Sequence, residues 1–362
     1  MTTYRVAQVG AGNRGTTHLR GFRGNADRFE VVALCDLDAA KLARVAGEFG
    51  IRRTYADAAA MLAETRPDVF CFVTPPAVRL PMVELGVGCG VRAIAFEKPM
   101  ATSLGEARAI ADLCASRGVK AVVSHQQKYL TSMQKLKALV DGGEVGRVET
   151  IHATCLPWLS HLGTHYMDYT LWINGGARAR WVVGHVHGRR MLSDSHPSPD
   201  YVLGEVLFEN GVRAYLECGY LAPSHMDKDH FWVDDRLTVH GTHGYAWADT
   251  DGRWSAFTRS SGGEVMAGRG APWEVQERER LQVLYLKDLA DWLDDDAKVH
   301  PCNLAVSYHG YEILEGLCTS ALDRTRVDLP LGPGAEADQN ERMRRDLPDV
   351  PPVVPLRQAA KA

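Results

Sequence analysis

Along the first 123 residues, short apolar runs alternate with segments whose apolar residues recur every three or four positions. Arg5–Val9, Glu30–Asp36 (EVVALCD), Asp68–Thr74 (DVFCFVT), Arg92–Phe96 and Val119–Ser124 read as strands, the third stopped by Pro75-Pro76. The stretch from the Gly-rich turn to about Phe22, Ala39–Phe49 and Ser103–Arg117 read as helices. Continuous apolar strands separated by helices predict a parallel sheet covered on both faces, so 1–123 is expected to be an α/β, doubly wound domain. The rhythm then changes. Leu130–Asp141 reads as a helix, Val148–Cys155 as a strand and 163–173 as a helix. Alternating strands follow: Tyr201–Phe208 and Val212–Tyr220 are joined through Glu209-Asn210-Gly211, a hairpin signal, and Arg236–His240 and Tyr245–Ala248 flank a second turn. With the amphipathic helices Glu277–Leu293 and Ala305–Leu322, residues 124–331 are expected to form an α+β domain with a large, mostly antiparallel sheet. The charged, Pro-rich residues 332–362 are expected to be a disordered tail or an arm on a neighbouring subunit.

The 362-residue length suits two cores rather than one. Apolar residues make up 45% and charged residues 24%, the net charge is −4, and no Lys/Arg block stands out, which argues against nucleic acid as a partner. No apolar run reaches the roughly 18 residues a membrane span needs. The first strand follows the initiator Met so closely that no signal peptide fits, and the expected location is cytoplasmic. The eight cysteines form no CxxC pair and lie mostly in apolar runs, as buried free thiols of a reducing compartment would.

Gly10-Ala11-Gly12-Asn13-Arg14-Gly15 is a GxGxxG placed after a strand and before a helix. The first Gly permits the turn, the second lets a pyrophosphate approach the backbone, and the third lets helix and strand pack closely. The helix N-terminus offers N–H groups to phosphate. Asp36 ends the second strand, where a carboxylate would bind ribose hydroxyls; it would repel a 2′-phosphate, and Leu37-Asp38 add no Arg, so NAD is expected rather than NADP.

Glu97-Lys98-Pro99 follows the strand ending at Phe96. With GAGNRG at 10–15, TPP at 74–76, EKP at 97–99 and GTHYMD at 163–168, and with HGTHG at 240–244 and VDLPL at 327–331, the chain from Arg5 to Leu331 resembles the Gfo/Idh/MocA family of NAD(P)-dependent oxidoreductases. The resemblance implies a nicotinamide cofactor, oxidation of a ring hydroxyl on a sugar, glycoside or cyclitol, and a second-domain sheet whose open face joins subunits as a homodimer or homotetramer. It also implies that Thr74, Pro75, Glu97 and Lys98 border the cofactor with the Gly loop, and that Lys128 and Tyr129, at the family's Arg-Phe/Tyr position, lie near the cleft.

Such an oxidation needs a proton acceptor for the hydroxyl and a donor for the developing oxygen charge. Lys98 would be that donor, or else a solvated charge at a strand end. Glu97 would orient it or bind the cofactor. His165 is the expected base, since an imidazole titrates near pH 6.5. If 161–173 is helical, His161, His165 and Asp168 share one face, with Asp168 orienting a histidine, binding substrate or lying on the helix surface. Many family members carry Asp four residues before the histidine, and here His161 stands there, so a relay through two imidazoles is expected. Arg79 replaces the His of the TP-x-x-x-H pattern and would touch the cofactor or a substrate oxygen, or be a surface group. Trp158 would lie under a sugar face or pack in the core. No metal is expected: His161 and His165 have ligand spacing, but no HExxH glutamate exists, and Ser224–His230 (SHMDKDH) reads as a polar loop. Redox-assisted glycoside cleavage and a non-catalytic cofactor sensor remain alternatives on this fold.

Overall fold

The computed structural model describes residues 2–226, 231–332, 334–335 and 339–350. The chain first lays down β1 (Tyr4–Val9), α1 (Asn13–Arg23), β2 (Phe29–Cys35), α2 (Ala39–Phe49), β3 (Thr54–Tyr55), α3 (Ala58–Thr65), β4 (Val69–Phe72), α4 (Arg79–Gly88), β5 (Ala93–Phe96), α5 (Leu104–Arg117) and β6 (Lys120–Val123). The strands form a six-stranded sheet in the order β3-β2-β1-β4-β5-β6, parallel throughout. All of β4 and β5 is buried, which is why those segments are apolar without alternation. Asp38, Asp57 and Ser103 cap α2, α3 and α5 by accepting backbone N–H groups. Helix α1 begins instead at Gly12, which brings no side-chain cap. The elements unread in the sequence, β3, α3 and α4, are short or interrupted: α4 carries Pro81 and two glycines.

The second unit contains α6 (Thr131–Asp141), β7 (Val148–Cys155), α7 (Thr164–Ile173), β8 (Ala179–His187), β9 (Tyr201–Phe208), β10 (Arg213–Gly219), β11 (Asp235–Gly241), β12 (Gly244–Ala248), β13 (Arg253–Phe257) and β14 (Met266–Arg269). A short helix α8 (Trp273–Gln276) and a π turn (Glu277–Leu281) lead to α9 (Gln282–Asp294), followed by α10 (Leu304–Asp323), β15 (Val327–Asp328) and α11 (Gln339–Asp346). The sheet has nine strands, β14-β13-β12-β11-β7-β10-β9-β8-β15. All its pairs are antiparallel except β7 with β10. The expected hairpin β9–β10 turns at Gly211, whose φ of +84° suits glycine. Strands β8, β13, β14 and β15 add to the five read in the sequence.

The division between units departs from the boundary drawn after residue 123. One unit comprises 1–129 and 274–308, the other 130–273 and 309–362. Helix α9 packs on α1, where a Cβ on Gly21 would come within 2.7 Å of Gln282 Cγ and one on Gly24 within 2.6 Å of Val283 Cγ2. Asn25 Nδ2 donates to Val283 O (2.9 Å), Arg28 pairs with Asp291 (3.0 Å) and Asp294 (2.6 Å), and Tyr4 OH donates to Asp294 (2.6 Å). These ties hold a segment near the chain's end in the N-terminal unit, a long-range pairing that periodicity does not encode.

The described part of the tail is ordered on its own chain. Helix α11 lies on its own unit: Arg189 pairs with Asp349 and donates to Arg344 O (2.7 Å), and Arg344 Nη2 donates to Leu192 O (3.0 Å). The remainder of 332–362, and residues 227–230 of the polar stretch 224–230, lie outside the described residues. Among the described residues no helix is long and apolar enough to cross a membrane.

Candidate active site

In the N-terminal unit the carboxyl ends of β1, β4 and β5 carry the Gly loop, the Thr74-Pro75 turn and the EKP turn. Gly10 has φ +100°, and a Cβ there would sit 2.3 Å from Val73 O; one at Gly15 would sit 2.1 Å from Gly10 O. Backbone packing therefore demands both glycines. Gly12 differs, because a Cβ there would meet nothing within 4 Å. Its bareness opens the uncapped N-terminus of α1, whose N–H groups and dipole suit phosphate. That open cradle fits a dinucleotide. Asn13 is the first residue of α1, and its carbonyl accepts the hydroxyls of Thr16 (2.7 Å) and Thr17 (3.2 Å).

Asp36 accepts from Ala11 N (2.7 Å) and Asp38 N (2.9 Å), so the end of β2 is pinned beside the loop. The sequence reading missed Lys41, whose ammonium lies 3.9 Å from Asp36. Leu37, the next residue, is 91% exposed, an apolar face beside the carboxylate.

Glu97 is buried and its Oε1 accepts from Arg14 Nη2 (3.0 Å) and Nε (3.3 Å), with His18 Nε2 at 2.9 Å. Burial alone would raise this carboxyl, but Arg14 and His18 overcome it and hold it well below the usual range. Arg14 also pairs with Glu277, and His18 Nδ1 lies 3.0 Å from Gln282 Nε2. So Glu97 anchors the EKP turn to α1, and Arg14 is committed to two carboxylates. Neither His18 nor Glu277 was singled out in the sequence. The signal for His18 was a polar residue on the buried face of α1; for Glu277 there was none, because it arrives with the returning segment.

Lys98 is half-buried, which excludes a freely solvated charge, and the Lys98–Pro99 peptide is cis. Burial, with the Arg14 and Arg79 cations, lowers its ammonium to about 8 against the pull of Glu97. Arg79 is not a surface group. It is 1% exposed and bonded to the Thr74 and EKP turns. Lys128 Nζ donates to Pro301 O (2.6 Å) and Tyr129 OH to Asp288 (2.5 Å), and both side chains are buried.

In the second unit the segment read as a helix from 161 begins with a π turn, Leu159–Gly163, before α7. His165 is buried, its Nδ1 2.7 Å from Tyr169 OH. If Nδ1 carries the proton and donates to the tyrosine oxygen, Nε2 is the basic nitrogen. Asp168 is 1% exposed, which rules out a helix-surface role. His161, in the π turn, packs among Trp158 (centroids 5.2 Å), Trp232 (4.5 Å) and His196 (5.4 Å). Trp158 Nε1 donates to His196 O (3.2 Å), and Trp232 is 49% exposed. Trp158 thus belongs to an aromatic cluster open on one side, not to the core. His196 and Trp232 were missed because each comes from a loop with no local motif. Among the described residues no group of three His, Cys, Asp or Glu side chains is arranged to hold a metal ion.

Comparison with known proteins bears on both units. Residues 4–125 match the model of an oxidoreductase family with an NAD-binding Rossmann fold, and residues 157–247 match the GFO/IDH/MocA C-terminal domain. The chain is 27% identical to D-apiose dehydrogenase of Paraburkholderia graminis over 75% of its length and 76% of that protein's. It is 23% identical to the NAD(+)-dependent scyllo-inositol 2-dehydrogenase of Bacillus subtilis over 68% and 74% of the two lengths. Its fold is shared with a levoglucosan dehydrogenase solved with NADH and L-sorbose: TM-score 0.77, 15% identity, covering 92% of this chain and 100% of that one. An uncapped glycine cradle, an EKP turn locked to it and a buried histidine helix in a separate sheet domain have one common context, and the chain belongs to the Gfo/Idh/MocA family of NAD-binding oxidoreductases.

Proposed function

We propose that this protein oxidises a ring hydroxyl of a sugar, glycoside or cyclitol to a ketone, with NAD as electron acceptor. The observation that carries the reading is the EKP turn: a lysine with a depressed ammonium pKa is bound through its neighbour Glu97 to the helix that opens on the glycine cradle. The named relatives, an apiose and an inositol dehydrogenase, support the substrate class.

Gly10, Gly12, Asn13, Arg14 and Gly15 would hold the pyrophosphate through the backbone of the loop and the start of α1, Asp36 the ribose hydroxyls, and Thr74, Pro75 and Glu97 the nicotinamide side. Leu37 offers the adenine an apolar face. Bound NAD supplies a two-electron hydride acceptor. The chain's own residues do the rest. Lys98 donates to the hydroxyl oxygen and stabilises it as the carbonyl forms. His165 accepts the hydroxyl proton at Nε2 while Nδ1–H stays on Tyr169. His161 passes that proton outward, and Asp168 orients the imidazole side of α7. Trp158 lies under the apolar face of the ring. Lys128 and Tyr129, held by Pro301 O and Asp288, position the chain where it leaves the Rossmann unit.

The domain roles follow: cofactor on the N-terminal unit, substrate and self-association on the sheet unit, as a cytoplasmic homodimer or homotetramer. Eight free thiols agree with a reducing compartment. The test is a screen of sugars, glycosides and cyclitols with NAD and NADP, followed by NADH absorbance. Stoichiometric NADH with one of them supports the reading. Product without net NADH makes the protein a redox-assisted lyase, and NAD binding without turnover on any of them makes it a sensor.

A further inference from the structure

Arg79 begins α4, yet its side chain is 1% exposed, and its guanidinium lies 5.8 and 5.9 Å from the Phe72 and Phe96 rings. Nη1 donates to Thr74 O (2.8 Å) and Thr74 Oγ1 (3.1 Å), Nε to Pro99 O (3.2 Å) and Nη2 to Lys98 O (3.4 Å). These acceptors lie on two turns that follow the adjacent parallel strands β4 and β5. Burying a guanidinium is costly unless its donors are met, so a cation placed here has to be matched by what it holds together. The flat fork of five donors can span two turns at once; a lysine ammonium, a point donor on a flexible stem, cannot.

We propose that Arg79 is a positioning residue for Lys98: it latches the Thr74-Pro75 turn to the Lys98-Pro99 turn, so the two move as one body at the cofactor edge. This rests on the reading of Lys98 given above. The backbone of Lys98 is held from both sides, by Arg79 on its own carbonyl and by Arg14 and His18 on the preceding Glu97. The charges facing the Lys98 ammonium are Glu97, Arg14 and Arg79, and those facing Arg79 are Glu97 and Glu106. Arg79 therefore acts on Lys98 in two separable ways, through the fork and through the charge.

Full-length R79Q and R79K separate them. The first measurement needs neither cofactor nor substrate: the pH dependence of reductive methylation at Lys98, read by peptide mass spectrometry. The wild-type midpoint is expected near 8. R79Q, without the cation, moves it upward, and R79K leaves it in place. The second is kinetic, at saturating NAD on a sugar the wild type oxidises. Both variants lose the fork, and kcat falls on the order of 10²-fold, the cost of a misplacement near 1 Å, while the sugar KM stays within a few-fold. Melting curves check folding, and R79K, which keeps the charge, is the milder variant. A folded R79K with wild-type kcat, or an R79Q with an unmoved Lys98 midpoint, overturns the proposal. Should the wild type oxidise no sugar, the dehydrogenase reading fails, and a Lys98 midpoint that R79Q leaves unmoved still overturns the proposal.

Discussion

Two residues of the site are made reactive by what surrounds them. Lys98 is useful to the oxidation as an ammonium, so its contribution is present below its pKa of about 8 and lost as pH rises through that value. Lys98→Ala is expected to lower kcat on the order of 10²–10³-fold, leave NAD affinity within a few-fold, and abolish the alkaline limb of kcat measured from pH 6 to 10. A limb that persists in the variant belongs to another group. On α7, His165→Ala is expected to cost more than His161→Ala. A general base contributes about 10²–10⁴-fold, and His165 has Tyr169 to fix its tautomer, whereas His161 stands among aromatic rings. Kinetics of the two alanine variants at saturating NAD decide it; a dead His161→Ala beside an active His165→Ala reverses the roles. The residues singled out from sequence were those with a local motif: the glycines, Asp36, Lys98 and His165. Arg79 was visible only as a departure from a pattern. Its actual work depends on two strands being neighbours, which no window along the chain reveals.

Between elements, α1 approaches α9 closely in the N-terminal unit. The approach is made by glycine, since a Cβ on Gly21 would lie 2.7 Å from Gln282 Cγ, 2.9 Å from Gln282 O and 2.9 Å from Leu286 Cδ1. The obstruction includes backbone, so rotamer changes cannot relieve it. Gly21→Ala should therefore destabilise the protein by about 1–3 kcal/mol despite alanine's better helix propensity, read as a lower urea midpoint at unchanged slope. A stabilised variant would show that α9 yields easily. The same contact continues to the EKP turn: Gln282 reaches His18, and Glu277 on the preceding π turn reaches Arg14. The parallel strands with continuous apolar runs, β1, β2, β4, β5 and β6, were read correctly from the sequence. The π turn at 159–163 was not, because its residues keep helical spacing in apolar content while the backbone ladder widens.

At the scale of the molecule, the class of each half was legible and the boundary between them was not. Hydrophobic rhythm marks what an element is, while membership in a unit is decided by contacts across some 260 residues, such as Arg28 with Asp291 and Asp294. The consequence is an expectation for the isolated fragment 1–129. Without α9 it leaves α1 bare where Leu286 and Leu289 are otherwise fully buried. It should bind a hydrophobic dye and melt well below the full chain; cooperative melting at the full-chain temperature would refute this. On the ribosome the same arrangement imposes a wait. The six-stranded sheet is complete when residue 123 emerges, but α9, which covers α1, ends at Asp294, and at 5–20 residues per second the gap lasts about ten to thirty seconds. During that interval α1 presents an uncovered greasy surface, so each newly made chain passes through a stage at which chaperones have something to grip.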